Sequence, residues 1–308
     1  MNLFVAGGSG AIGRFLVPLL VNAGHSVTVL TRSPGKAEAL RATGAQAVVG
    51  DVFDGPALDA LMARSRPEIV LHQLTAFGAR DADPLAETIR VRTEGTRNLV
   101  RAAQGAGARR LVTQSISFIC SPIGPALTDE GTPLYLHGPG VVGQLAQAVA
   151  ELEQRTLESG LEAVVLRYGW FYGPGTNYDA TNTIPAAIRK GRMPLVGAGE
   201  STYSFISLRD AALATLQALT RGAPGTYNIV DDEPAPLREW LPFVAQLLKA
   251  PQPAPMQPET VKEKLGDMAC YVLSEQSGAS NARARGELGW RPQTPSWRTG
   301  FAQLYDGA

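Results

Sequence analysis

The chain has 308 residues, 44% hydrophobic and 18% charged, with 28 basic side chains against 28 acidic ones. That is enough for one large α/β domain or a domain with a small appendage, and zero net charge gives no electrostatic footprint for nucleic acid or an anionic membrane surface. Two cysteines, Cys120 and Cys270, supply neither a disulfide framework nor a metal-ligand spacing, no apolar run approaches a bilayer span, and no secretory leader is legible, so a soluble cytoplasmic protein without metal is expected.

In chain order, β-rich runs alternate with helical patterns. Strands are expected at Leu3–Ala6, Ser26–Thr31, Ala47–Val49, Ile69–His72, Arg110–Gln114 and Ala163–Arg167. Helices are expected between them, near Ile12–Ala23, Lys36–Thr43, Ala57–Arg64, Pro84–Gly105 and Val141–Gly160. This βαβ alternation predicts a Rossmann-type, doubly wound parallel sheet in an α/β fold. Beyond Gly173 the rhythm loosens: a helix at Thr183–Lys190, a strand at Tyr203–Ser207, a helix at Leu208–Arg221, a strand at Thr226–Val230 and an amphipathic helix at Leu237–Lys249. Ala250–Pro258, A-P-Q-P-A-P-M-Q-P, reads as an extended connector. The expected division is a cofactor-binding unit over residues 1–170, to which 203–230 return, and a small substrate-binding cap over 171–202 and 231–308.

The first strand runs into V-A-G-G-S-G-A-I-G at residues 5–13 and then into a helix. Glycines there permit a tight turn and let backbone N–H groups approach a pyrophosphate at the helix N-terminus. Gly7, Gly10, Ala11, Ile12 and Gly13 are therefore candidate cofactor residues. The second strand ends V-L-T-R-S, with Arg32 where an NAD reader carries a carboxylate, and Lys36 follows one turn on. A cation there attracts a 2′-phosphate, so NADP is expected, with NAD tolerated.

These residues resemble the extended short-chain dehydrogenases, the NAD-dependent epimerase/dehydratase family. Besides Gly7–Gly13, the resemblance rests on Gly50-Asp51, on I-V-L-H-Q-L-T-A at 69–76, and on G-T-R-N-L at 95–99. It continues in L-R-Y-G-W-F-Y-G-P-G at 166–175 and in a C-terminal run ending E-L-G-W-R-P at 287–292. It implies that Asp51 and Val52 meet the adenine, that Leu74, Thr75 and Ala76 pass under the cofactor, and that Tyr168 lies by the nicotinamide. It implies Ser117, Trp170 and Tyr172 as substrate contacts. It also implies a homodimer through the fourth and fifth helices, with Val141, Val142, Leu145, Val149 and Leu152 as apolar surface.

The family's chemistry uses a Tyr-x-x-x-Lys pair on the fifth helix, and this chain lacks it. There is no lysine between Lys36 and Lys190, and no tyrosine has a lysine four residues later. With Glu151 matched to the family's glutamate, the lysine position falls on Gln147 and the tyrosine position on Gly143. Gln147 keeps a hydrogen bond for the nicotinamide ribose but no charge. Arg92 replaces a common asparagine of the fourth helix, and Trp170 another. Replacement acids are sought in Ser115, Tyr135 and His137, while His72, inside a strand, reads as a core histidine. The expected function is an atypical NADP-dependent oxidoreductase acting on a small carbonyl or alcohol. A redox-neutral isomerase, lyase or cyclase, or a non-catalytic cofactor sensor, are the alternatives.

Overall fold

Strand-forming residues of β1 (Asn2–Ala6) alternate between two helical layers, Leu3 and Val5 to one side, Phe4 and Ala6 to the other. This is the pattern of a strand buried on both faces. The computed structural model describes residues 1–75 and 83–306. After β1 come α1 (Gly13–Asn22), β2 (Ser26–Thr31), α2 (Pro34–Arg41), β3 (Gln46–Val49), α3 (Gly55–Ser65) and β4 (Ile69–His72). Then follow α4 (Pro84–Arg90), a π turn (Val91–Gly95), α5 (Thr96–Gly105), β5 (Arg110–Ile116), α6 (Val141–Leu157), β6 (Glu162–Tyr168) and β7 (Trp170–Tyr172). The rest is α7 (Thr183–Arg189), β8 (Leu195–Val196), β9 (Thr202–Tyr203), β10 (Phe205–Ser207), α8 (Leu208–Gln217) and β11 (Gly225–Ile229). The chain ends through β12 (Ala235–Pro236), α9 (Leu237–Leu247), β13 (Pro255–Met256), α10 (Pro258–Cys270), two further π turns and α11 (Trp297–Tyr305).

Seven strands form one parallel sheet in the order β11-β6-β5-β4-β1-β2-β3. Helices α1 and α8 pack on one face, and α3, α5 and α6 on the other. The order reverses between β1 and β4, and ligands of such sheets bind beyond the carboxyl ends of the strands at that reversal. The expected doubly wound α/β fold is thus present.

Three details differ from the sequence reading. The helix expected over Pro84–Gly105 is broken by the π turn at Val91–Gly95, a widening common at functional sites. The strand expected at Tyr203–Ser207 divides at Ser204, whose carbonyl takes the Trp170 amide at 2.8 Å and whose hydroxyl takes the Ala279 amide at 2.8 Å. The proline-rich connector ends in β13 and leads into α10, a helix the flat local pattern of P-E-T-V-K-E-K had hidden. A second apolar core, with Tyr178, Tyr203, Phe205, Trp240, Trp297 and Phe301, fills the region around β7 to β10, α9 and α11. Among the described residues no helix is long and apolar enough to cross a membrane.

Candidate active site

The glycines after β1 have separate jobs. Gly7 has φ +97°, and a Cβ there would run into the backbone carbonyl of Gln73. A Cβ on Gly13 would meet the Gly8 carbonyl, so this glycine lets α1 start tight against the turn. Gly10 is exposed, and a Cβ there would meet only the Gly7 oxygen, at 3.3 Å. Here the backbone is open for close approach. The amides of Ala11, Ile12 and Gly13 lie at the entry to α1, ahead of the first intrahelical acceptors, and the helix dipole adds positive potential there. This cradle fits a pyrophosphate. Across from it, the Asp179 carboxylate accepts the Gly175 amide at 2.7 Å. That bond, a second from Thr181 and the charge of Arg14 hold Asp179 below the usual carboxylate range.

At the end of β2, Arg32 is 59% exposed and pairs with Glu87 at 3.1 Å. Lys36 lies one turn into α2, its amide capped by the Ser33 hydroxyl. Asp51 accepts the Phe53 amide at 3.0 Å, and buried Val52 gives its carbonyl to the Asn98 side chain at 3.0 Å. Leu74 and Thr75 run on from β4 past the reversal point, whereas Ala76 lies outside the described residues.

The nicotinamide end would lie over β4, β5 and β6. His72 is fully buried, accepts the Leu74 amide on Nδ1 at 3.4 Å and so presents Nε2–H to the Thr96 hydroxyl at 2.9 Å. Burial, then the charge of Arg92, pushes its pKa down to about 3, so the ring is neutral. Ser115 is fully buried and donates to Glu153 Oε1 at 2.6 Å. Glu153 also takes Arg167 through Nε at 2.8 Å and Nη2 at 2.6 Å, a bidentate pair inside the fold. The Ser115 hydroxyl thus points into the layer between β5 and α6. Tyr168 is likewise buried, its hydroxyl 2.6 Å from that of Thr215.

Position 143, where the sequence reading puts the family's tyrosine, has no room for a side chain. A Cβ on Gly143 would stand 2.5 Å from the Gly138 carbonyl and 3.2 Å from that of Leu136. The backbone of the loop before α6 occupies the space a side chain would need. Gln147 is exposed and donates to the same Leu136 carbonyl at 3.0 Å. Tyr135 on this loop is half-buried, 5.8 Å from the Tyr271 ring, and His137 is exposed. Ser117, buried, follows β5 and donates its amide to the Tyr168 carbonyl at 2.9 Å. Trp170 stacks on Phe118 at 4.0 Å and donates its indole N–H to Gln276 at 3.2 Å. Tyr172 packs in the second core, 5.0 Å from the Phe301 ring.

Sequence reasoning did not find Glu153, Arg167 or Gln276. A charged residue inside the apolar strand A-V-V-L-R-Y is the signal that marks Arg167 as half of a buried pair, since an unpaired charge there is too costly.

The sequence model of the NAD dependent epimerase/dehydratase family matches residues 3–230. The chain is 42% identical to a 3-diazoavenalumate denitrifying reductase of a Streptomyces species, over 98% of this chain and 100% of that protein. It is 30% identical to a 2-alkyl-3-oxoalkanoate reductase of Stenotrophomonas maltophilia, over 81% of this chain and 76% of that one. In structure it is similar to UDP-glucose 4-epimerase of Thermotoga maritima, with TM-score 0.77, 22% identity and 99% and 98% of the two chains covered.

Proposed function

The chain belongs to the NAD dependent epimerase/dehydratase family and is an NAD(P)-dependent oxidoreductase, and from that premise we propose an NADPH-dependent reductase that replaces a diazo group on a small organic substrate by hydrogen. The observation that carries this reading is the sealed position 143, where loop backbone excludes the tyrosine that would protonate a carbonyl oxygen. Carbonyl reduction leaves charge on oxygen and depends on a placed acid. A carbon bearing a diazonium group needs none. It gains hydride with its electron pair, the C–N bond breaks, and that bond's pair leaves within N2. R–N2⁺ plus hydride gives R–H and N2, with atoms and charge balanced. Reduced nicotinamide supplies the hydride when bound. The 42% identical reductase, named for removing nitrogen from a diazo compound, supports the substrate class.

In this reading Gly7, Gly10, Ala11, Ile12 and Gly13 hold the pyrophosphate, and Asp51 and Val52 flank the adenine. Leu74 and Thr75 support the nicotinamide half beside Tyr168. Arg32 and Lys36 take the 2′-phosphate, giving NADPH over NADH. Ser117 and Trp170 border the substrate. Ser115, Tyr135 and His137 carry no obligatory proton. A cytoplasmic homodimer belongs to the same proposal.

The test mixes the protein with NADPH and an isotope-labelled 2-diazophenol, following cofactor absorbance and headspace gas. One N2 released per NADPH oxidised is the expected result. Oxidation with simple ketones and none with the diazo compound would overturn it, as would no oxidation with any substrate.

A further inference from the structure

The π turn Val91–Gly95 packs against α6 and drives Arg92 inward, leaving the residue 3% exposed. Its Nε–H is sealed from solvent without an acceptor, and among the described residues nothing takes a hydrogen bond from its guanidinium. Two titratable groups face it. His72, on the last position of β4, is neutral. Glu153, on α6, is within electrostatic reach, but Oε1 already accepts Ser115 and Arg167 and Oε2 accepts Arg167. The nearby Cys120 thiol is pushed up to about 11 by burial and adds no anion. Arg167 has the Glu153 carboxylate bonded to it and Glu130 within electrostatic reach, whereas Arg92 has only Glu153 within reach, and that carboxylate is already shared with Ser115 and Arg167.

Buried charges are paired in folded proteins. Among the described residues Arg92 has no carboxylate bonded to it, its nearest one being committed to Arg167 and Ser115, and the cluster lies at the carboxyl ends of β4 and β5, where ligands of this sheet type bind. The family's cation would stand at position 147 of α6, where this chain has exposed Gln147. Here a cation instead projects from the facing helix.

Resting on the reductase reading, we propose that Arg92 is an oxyanion subsite, binding the anionic oxygen of a substrate in which that oxygen is conjugated with the reacting carbon. A diazophenol, written as an oxyanion bearing a diazonium group, is such a molecule. Its carbon gains hydride, N2 leaves with the C–N pair, and ⁻O–Ar–N2⁺ becomes ⁻O–Ar–H. The oxygen stays anionic throughout, so a fixed cation serves where an acid would not. Water protonates the phenolate after release.

The test uses 4-nitrophenol as a non-reacting probe with the protein saturated in oxidised cofactor, at a pH where most free probe is protonated. The yellow phenolate band reports whether the bound form is the anion. Wild-type protein should bind the anion, Arg92→Gln should weaken it roughly ten- to a hundred-fold, as expected for loss of a charge-assisted hydrogen bond, and Arg92→Lys should recover part of it. With 2-diazophenol, Arg92→Gln should raise KM and lower kcat. Circular dichroism and cofactor affinity establish that each variant is folded. If both variants misfold, competition of neutral 4-nitroanisole against 4-nitrophenol on wild type decides, because equal affinity refutes the subsite. An unchanged band and KM in folded Arg92→Gln also refutes it. Arg92-dependent phenolate binding without cofactor oxidation would leave the subsite standing and sink the reductase reading, and the reverse result would do the opposite.

Discussion

Arg32, just past the end of β2, pairs with Glu87, and in the proposed reading that pairing makes cofactor choice a competition. An exposed ion pair of this kind contributes about 0–1 kcal/mol to stability. Breaking it should therefore leave the fold alone and move cofactor affinity. Arg32→Ala is expected to reduce the preference for NADPH over NADH by roughly tenfold, the loss of one charge-assisted hydrogen bond. Glu87→Gln is expected to increase that preference, since it removes a carboxylate that repels the 2′-phosphate. Calorimetry with both cofactors checks the pair, and equal wild-type affinities would end the argument. His72 gives a pH dependence with a definite sign. Its folded pKa, about 3, lies below the unfolded value of 6.5, so between these values the unfolded chain takes up a proton that the folded protein refuses. Its contribution is present above pH 6.5 and lost as the pH falls towards 3, by at most about 1.4 kcal/mol per unit. Unfolding free energies from urea titrations at pH 7 and pH 5 should differ by about 2 kcal/mol from this group alone, and His72→Gln should flatten that slope. At this scale the glycine cradle was legible because a turn is local. Arg32 was legible as a charge, but Glu87, 55 residues away, was not.

The helices repeat the lesson. Periodicity located α6 well, and it also placed Gly143 and Gln147 on the helix. It could not say what stands against them, because that is loop backbone from Leu136 to Gly138. Gly143→Ala puts a methyl 2.5 Å from a carbonyl oxygen and is expected to destabilise by about 1–3 kcal/mol, as overpacking does. Gln147→Ala loses one partly solvated hydrogen bond and should cost about 0.5 kcal/mol, the low end of the usual range. Chemical denaturation ranks the two, and a larger loss for Gln147→Ala would refute the sealed-loop account. Restoring the family pair by Gly143→Tyr with Gln147→Lys should give no sugar epimerase, because the tyrosine has no space to enter. The π turn was invisible for a related reason. P-L-A-E-T-I-R-V-R-T-E-G has ordinary helical composition, and the extra residue per turn shows only in where Arg92 ends up.

On the scale of the whole molecule, the order of strands and helices followed from pattern, while the packing of helix faces did not. Sequence alone credits α6 with spare apolar surface, but Val142, Leu145 and Val149 are buried within the protomer in one cluster with Ile116, Ile119 and Tyr271, and Leu152 is buried too. What α5 and α6 leave outside is polar: Arg97, Arg101 and Gln104 on one, Gln144, Gln147 and Gln154 on the other, with Leu157 the large exposed apolar residue. The ion pairs Arg101–Asp59 and Arg155–Glu151 add charge to the same surface. A dimer formed across these helices would have to join glutamine and ion-pair surfaces rather than an apolar seam. Such an interface gains little from apolar burial and much from screened Coulomb attraction, whose range shrinks to about 3 Å at 1 M salt. The proposed homodimer should therefore be weak and salt-labile. Light scattering at fixed protein concentration is expected to give a dimer mass at low ionic strength that falls towards the monomer mass in high salt, with Arg101→Glu lowering the salt concentration at which it dissociates. A dimer indifferent to salt would place the interface elsewhere, and a monomer mass at low salt would remove the dimer from the proposal.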